Sequence, residues 1–128
     1  MSYYFTRTLS LPIDAAIGLV TQKLKDEGFG VVTDIDMAAT LKSKIGADFR
    51  PYRILGACNP ALALEALKLE DKVGTMLPCN VIVQEHGLGN VEVSAINPVA
   101  SMRAIDNPEL LEKADLVGKK LERVIDGL

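Results

Sequence analysis

Tyr3-Tyr4-Phe5-Thr6-Arg7-Thr8-Leu9, then Pro12-Ile13-Asp14, then Phe29-Gly30-Val31-Val32-Thr33-Asp34-Ile35: these three segments of the 128-residue chain decide the fold. Residues 3–9 alternate in the manner of a strand. Pro12 and Asp14 mark a helix start, because proline has no N–H to leave unpaired there and the acid meets the positive end of the helix dipole. A helix is predicted from there to about Glu27. Ile13, Ile17, Val20 and Leu24 recur at helical spacing on one face, whereas Gln22, Lys23, Lys25 and Asp26 fall off that stripe. Gly28 ends the helix, since glycine tolerates the left-handed conformation. Phe29 to Ile35, rich in β-branched residues, reads as the next strand and completes a strand–helix–strand unit.

Working outward, Asp36 is placed to cap a short helix carrying Met37, Leu41 and Ile45 on one face and ending at Gly46. Tyr52 to Ala57 reads as a third strand. Asn59-Pro60 then opens a helix to about Glu70, with the asparagine side chain accepting from free N–H groups and proline in the first turn. Val73 to Pro78 carries no decisive pattern. Cys79–Glu85 and Asn90–Ile96 flank His86-Gly87-Leu88-Gly89, whose glycines suit a hairpin turn. Asn-Pro recurs at Asn97-Pro98 and Asn107-Pro108, each ahead of a helical pattern.

The second of these opens the chain's strongest amphipathic segment. Leu110, Leu111, Ala114, Val117, Leu121, Val124 and Ile125 form a broad apolar stripe opposite Glu112, Lys119 and Lys120, and it must pack on the chain's own sheet or on a second subunit. The order is β-α-β-(α)-β-α-β-β-α-α, an α+β fold in two layers, with a mixed sheet covered by helices. No linker or low-complexity tract interrupts residues 1–128, which are read as one domain. Pro12 and Pro60 each open a helix between strands, a weak internal echo that is compatible with duplication.

Composition bounds the function. A chain with 48% hydrophobic residues can bury a core unaided. Net charge is −3 and the fourteen Lys and Arg residues are scattered, which argues against nucleic-acid binding. No apolar run approaches the roughly 20 residues that span a bilayer, so no membrane role is expected. The two cysteines, in a chain read as cytoplasmic, are expected as reduced thiols.

Those cysteines lie in the only segments where chemistry concentrates: Phe49-Arg50-Pro51-Tyr52-Arg53-Ile54-Leu55-Gly56-Ala57-Cys58-Asn59-Pro60 and Leu77-Pro78-Cys79-Asn80. Cys58 sits between a strand end and a helix start, where backbone N–H groups stabilise a thiolate; the same position suits a small buried hydrophobe. Cys79 at a strand entry is either core or a partner for a reversible disulfide, depending on a Cα separation within about 7 Å. Arg50, Tyr52 and Arg53 could grip an anion against a flat wall, or form a solvated strand flank. Asp34 and Asp36 share a face of an extended strand, as paired acids or as a strand end and a helix cap.

Other chemistries find too few residues. Zinc wants four ligands, against two cysteines and the single His86 in a hairpin turn. Gly28-Phe29-Gly30 lacks the spacing and following helix of a dinucleotide fingerprint. No motif dictates a reaction, and neither a metal nor a cofactor is expected.

The segments Glu27-Gly28-Phe29-Gly30-Val31-Val32-Thr33-Asp34-Ile35-Asp36, Phe49 to Pro60 and Leu77 to Val83 together resemble the bacterial and archaeal family catalogued as domain of unknown function three hundred and two. The resemblance covers essentially the whole chain. It implies a small, dimeric α+β domain without an established activity, with its motif on Arg50, Pro51, Tyr52, Gly56, Cys58, Asn59, Pro60, Pro78, Cys79 and Asn80. The expectation is a domain, leaning away from an enzyme, that binds a small molecule or a partner near Arg50, Tyr52, Cys58, Asn59, Cys79 and Asn80. The alternative is thiol redox or thiol transfer at Cys58 with Cys79 as resolving thiol. A homodimer is expected, because three Phe, three Tyr and no Trp leave few large residues to cover the terminal stripe.

Overall fold

Val81 and Val83 alternate with Ile82 and Gln84 in one strand, and Val91, Val93 and Ala95 alternate with Glu92 and Ser94 in the next, so each presents a fully apolar face. In the computed structural model, which describes residues 2–128, those two strands lie inside a five-stranded sheet. The elements run β1 (Tyr4–Leu9), α1 (Ile13–Asp26), β2 (Gly30–Asp36), α2 (Met37–Ile45), β3 (Tyr52–Cys58), α3 (Pro60–Leu69), a 3-10 helix (Asp71–Met76), β4 (Cys79–Gly87), β5 (Asn90–Ile96), α4 (Pro98–Met102) and α5 (Pro108–Asp126). The predicted α+β order is reproduced, and the undecided stretch before Pro78 is the 3-10 helix.

The strand order is β1-β5-β4-β3-β2, and all four pairings are antiparallel. A mixed sheet was the expectation, and the reason for the difference lies in α1. The β1 and β2 strands that it joins run in the same direction, but three strands separate them, so they never pair. Strands β2 to β5 follow as consecutive antiparallel neighbours, and β1 closes the far edge against β5 with Tyr4 opposite Ile96 and Leu9 opposite Val91. The echo between Pro12 and Pro60 therefore stops at the sequence: α1 spans opposite edges, while α3 connects the adjacent strands β3 and β4.

One sheet face carries Leu55, Ala57, Cys79, Val81, Val83, Val91, Val93 and Ala95, all buried, and α1 and α5 cover it. The α1 helix supplies Ala16, Val20 and Leu24, a stripe four residues apart, with Ile13 and Ile17 packed at its side. The α5 helix supplies Leu121, Val124 and Ile125 to the same core. Fully burying one such side chain is worth about 1.5–3 kcal/mol, so this layer dominates stability. Most of the terminal stripe is thus covered within the chain, with Leu111 and Val117 partly buried.

A second cluster lies beyond the end of the first. It joins Ala66 of α3, Val73 of the 3-10 helix, Met102 of α4, and Leu110 and Ala114 from the first half of α5. Each Asn-Pro pair acts as read: the side chains of Asn59, Asn97 and Asn107 accept from Leu62, Val99 and Leu110 respectively, each at 3.2 Å, with proline at the helix start. Asn107 also donates to the Leu69 carbonyl at 3.1 Å, tying the end of α3 to the start of α5. No helix among the described residues is long and apolar enough to cross a membrane.

Candidate functional site

The two clusters do not meet flush. Between them lies a cavity of ≈ 260 Å³, walled by Phe29, Ala57 and Cys79 from the sheet core and by Ala66, Met102, Leu110 and Ala114 from the second cluster. Its position follows from how α3 packs. That helix leans on α5 and the 3-10 helix, and Ala66 is its one buried residue, so its first two turns stand off the sheet. Leu62 and Ala63 of those turns, with Leu77, Pro78, Pro98 and Val117, complete the wall.

Two features aim residues into this space. The pairing of β2 with β3 slips between Val31 and Thr33, and the bulge leaves Val32 unpaired, 61% exposed and on the cavity wall. Bulges re-aim side chains in this way and are frequent beside binding sites. Gly28, at φ +88°, turns the chain from α1 into β2 beneath Asn59; a Cβ there would lie 3.0 Å from the Asn59 side-chain nitrogen. Glycine is required on both counts. Among the described residues, no buried side-chain nitrogen or oxygen lacks a partner.

Both cysteines are on the wall. Cys79 opposes Ala57 across the β3–β4 ladder, and Cys58 directly follows that partner at the end of β3. Cys58 is half-buried and Cys79 buried, and both are free thiols. Burial pushes the Cys79 thiol up to about 11, and the nearby Cys58 thiolate adds to the rise by repulsion. A thiol so held is overwhelmingly protonated at neutral pH and a poor nucleophile.

The family model described as Domain of unknown function DUF302 matches residues 5–128. The chain belongs to the DUF302 family. A crystal structure of an uncharacterized conserved DUF302 protein from Bacillus stearothermophilus is similar to it at a TM-score of 0.91 and 30% identity, covering 98% of each chain. No curated protein matches.

Of the six site residues expected from sequence, this DUF302 fold gathers three. Cys58, Asn59 and Cys79 share the cavity. Asn80 points the other way, as strand alternation demands, into a shallow hollow on the opposite sheet face that Tyr52 also borders. Tyr52 opens β3 at the end away from Cys58, about 20 Å from it at strand rise, and Arg50 lies just before that strand. Arg50 sits over the Phe49 ring, 4.4 Å from its centroid.

Arg53 instead grips Asp34 through both carboxylate oxygens, one bond measuring 2.8 Å; that bond is the main reason the Asp34 carboxyl titrates below its usual range. Asp36 accepts from the Ala39 backbone N–H at 2.9 Å and caps α2. The two acids are thus a strand-end ion pair and a helix cap. His86 stands 3.5 Å from Glu92. Among the described residues, no three His, Cys, Asp or Glu side chains are grouped to hold a metal ion.

Sequence reasoning missed Val32, Leu62, Met102 and Lys113. Val32 depends on a bulge that no residue pattern announces. Lys113 left a signal: it stands where the stripe Leu110, Ala114, Val117 would favour an apolar residue.

Proposed function

We propose that this chain binds a small, predominantly apolar molecule in the cavity between its two core clusters. The supporting observation is the cavity itself: ≈ 260 Å³ of space with an almost wholly apolar wall in a chain of 128 residues. Natural interiors are close-packed, so an apolar recess of that size, open to solvent on one side, offers dispersion contacts that a ligand would make. An apolar cavity of about 150 Å³ already takes up benzene, so there is room here for a larger body.

The test is naphthalene binding followed by thermal unfolding. Ligand that binds only the folded state raises the unfolding midpoint with concentration. Wild-type protein should be stabilised, while Ala114→Leu and Ala63→Leu, which place a larger side chain in the space, should not respond. An unmoved wild-type midpoint at naphthalene saturation would defeat the proposal.

A second reading is thiol exchange at Cys58 with Cys79 as resolving thiol, which their shared wall supports, and which a reducing compartment such as the cytoplasm would suit. The high pKa of Cys79 weighs against it, because a protonated resolving thiol attacks slowly. Diamide treatment of folded protein separates the two readings. An intramolecular disulfide, seen as a mass loss of two hydrogens that dithiothreitol reverses, would favour exchange.

A further inference from the structure

Within a wall that is apolar apart from Asn59 and the two thiols stands one charged residue, Lys113. It lies on α5 one turn after Leu110 and one before Val117, between residues that face the cavity, so the helix directs its methylene stem along the wall. Its ammonium reaches Glu65 of α3 at 3.3 Å, with side-chain exposures of 37% and 51%. Lysine commonly lays its stem on apolar surface and holds its charge at the water boundary. The charge therefore marks the mouth of the cavity, between α3 and α5.

On this basis, and resting on the cavity reading above, we propose that the ligand is an apolar molecule with one anionic head group, a carboxylate, seated against Lys113. The exchange is cheap. A partly exposed, single-contact pair such as Lys113–Glu65 contributes little, so the ammonium can trade the Glu65 carboxylate for that of a ligand while Glu65 turns to water. A cationic head would meet Lys113 with like charge, and a neutral one would gain nothing from it. The body is bounded by volume. If about 150 Å³ accommodates six ring carbons, ≈ 260 Å³ accommodates roughly ten, the size of a two-ring aromatic or a medium acyl chain.

Two probes of equal body separate head-group recognition from cavity binding: 2-naphthoate and the neutral 2-naphthalenemethanol, measured by calorimetric titration at pH 7.5. Wild-type protein should bind the naphthoate about three- to fivefold more tightly, the effect of a half-exposed ion pair, and 0.5 M salt should shrink that ratio. Lys113→Met should abolish the preference, bringing the ratio of the two affinities to about one whatever the absolute affinity; Lys113→Arg should retain the preference. Equal binding of the two probes by wild type, or a preference that survives in Lys113→Met, overturns the head-group assignment and leaves the cavity reading standing. Binding of neither probe overturns both.

Discussion

Cys79 makes the protein's alkaline limb predictable. Its thiol is raised from an ordinary 9.0 to about 11, chiefly by burial against the sheet core. In the unfolded chain the thiol ionises first, so between those two values the folded state holds a proton that the unfolded state has lost. Stability from this group is complete below pH 9 and declines as pH rises toward 11. Two pK units correspond to about 3 kcal/mol across the whole window, and at pH 10 the loss is about 1 kcal/mol. The measurement is urea denaturation of wild type and Cys79→Ala at pH 8 and pH 10. Lysines and tyrosines titrate in the same range, but they are common to both proteins and cancel in the difference. So does the packing lost with the sulfur. Wild type should lose about 1 kcal/mol more than Cys79→Ala between the two pH values. Identical losses would refute the reasoning, since they would mean that the sulfur is hydrated in the folded protein. The Cys79 sulfur is also buried whereas Cys58 is half-buried, so iodoacetamide should modify Cys58 first.

Asn59→Ala should cost about 1 kcal/mol in chemical denaturation, the worth of its cap on α3, against under about 0.5 kcal/mol for the exposed Asn80→Ala; equal costs would contradict the cap. Gly56→Ala should destabilise by about 1–3 kcal/mol, because a Cβ there meets the Thr33 hydroxyl and comes within 2.6 Å of the Pro78 ring, and a ring fixed in the chain cannot swing aside. Unchanged stability in the same assay would show that the β3–β4 end is looser than its contacts imply. Gly118→Ala should stabilise by about 0.5–1 kcal/mol: the position is helical, φ is ordinary, and the added methyl finds its nearest neighbour, the Asn97 side-chain oxygen, at 3.4 Å. A lower thermal midpoint would mean that α4 and α5 already touch too closely there.

What was legible in the sequence was local. The three Asn-Pro pairs became three capped helices because a side-chain acceptor and a missing N–H act within four residues, whatever the rest of the chain does. The turn between β4 and β5 fell where the glycines required, with Gly89 at φ +71°. Sheet order was not legible in the same way. Whether α1 joins neighbouring strands or opposite edges depends on which strand finds β5, a contact between residues near 4–9 and 91–96 that no local pattern encodes. The terminal stripe illustrates the boundary: its amphipathic period named the buried residues Leu110, Ala114, Leu121, Val124 and Ile125, but the period of a helix cannot say whether its cover belongs to the same molecule.

The site was partly legible for a related reason. Cys58, Asn59 and Cys79 drew attention as an unusual string, and they do line one wall, yet the other wall is built from the end of α4 and the first half of α5, Met102 with Leu110, Lys113, Ala114 and Val117, about forty residues further on. The cavity arises where α3, tied by Asn107 to α5 through the Leu69 carbonyl, rests on helices and leaves the sheet end bare. Filling that gap with larger core residues would have been the simpler way to stability, since small residues at Ala57, Ala63, Ala66 and Ala114 hold the space open on both sides. A chain that leaves four alanines around a gap and sets a lysine at its mouth has given up packing energy there. In a protein of this size, where one or two kcal/mol is a large share of net stability, retaining such a gap is what a ligand-binding role would require.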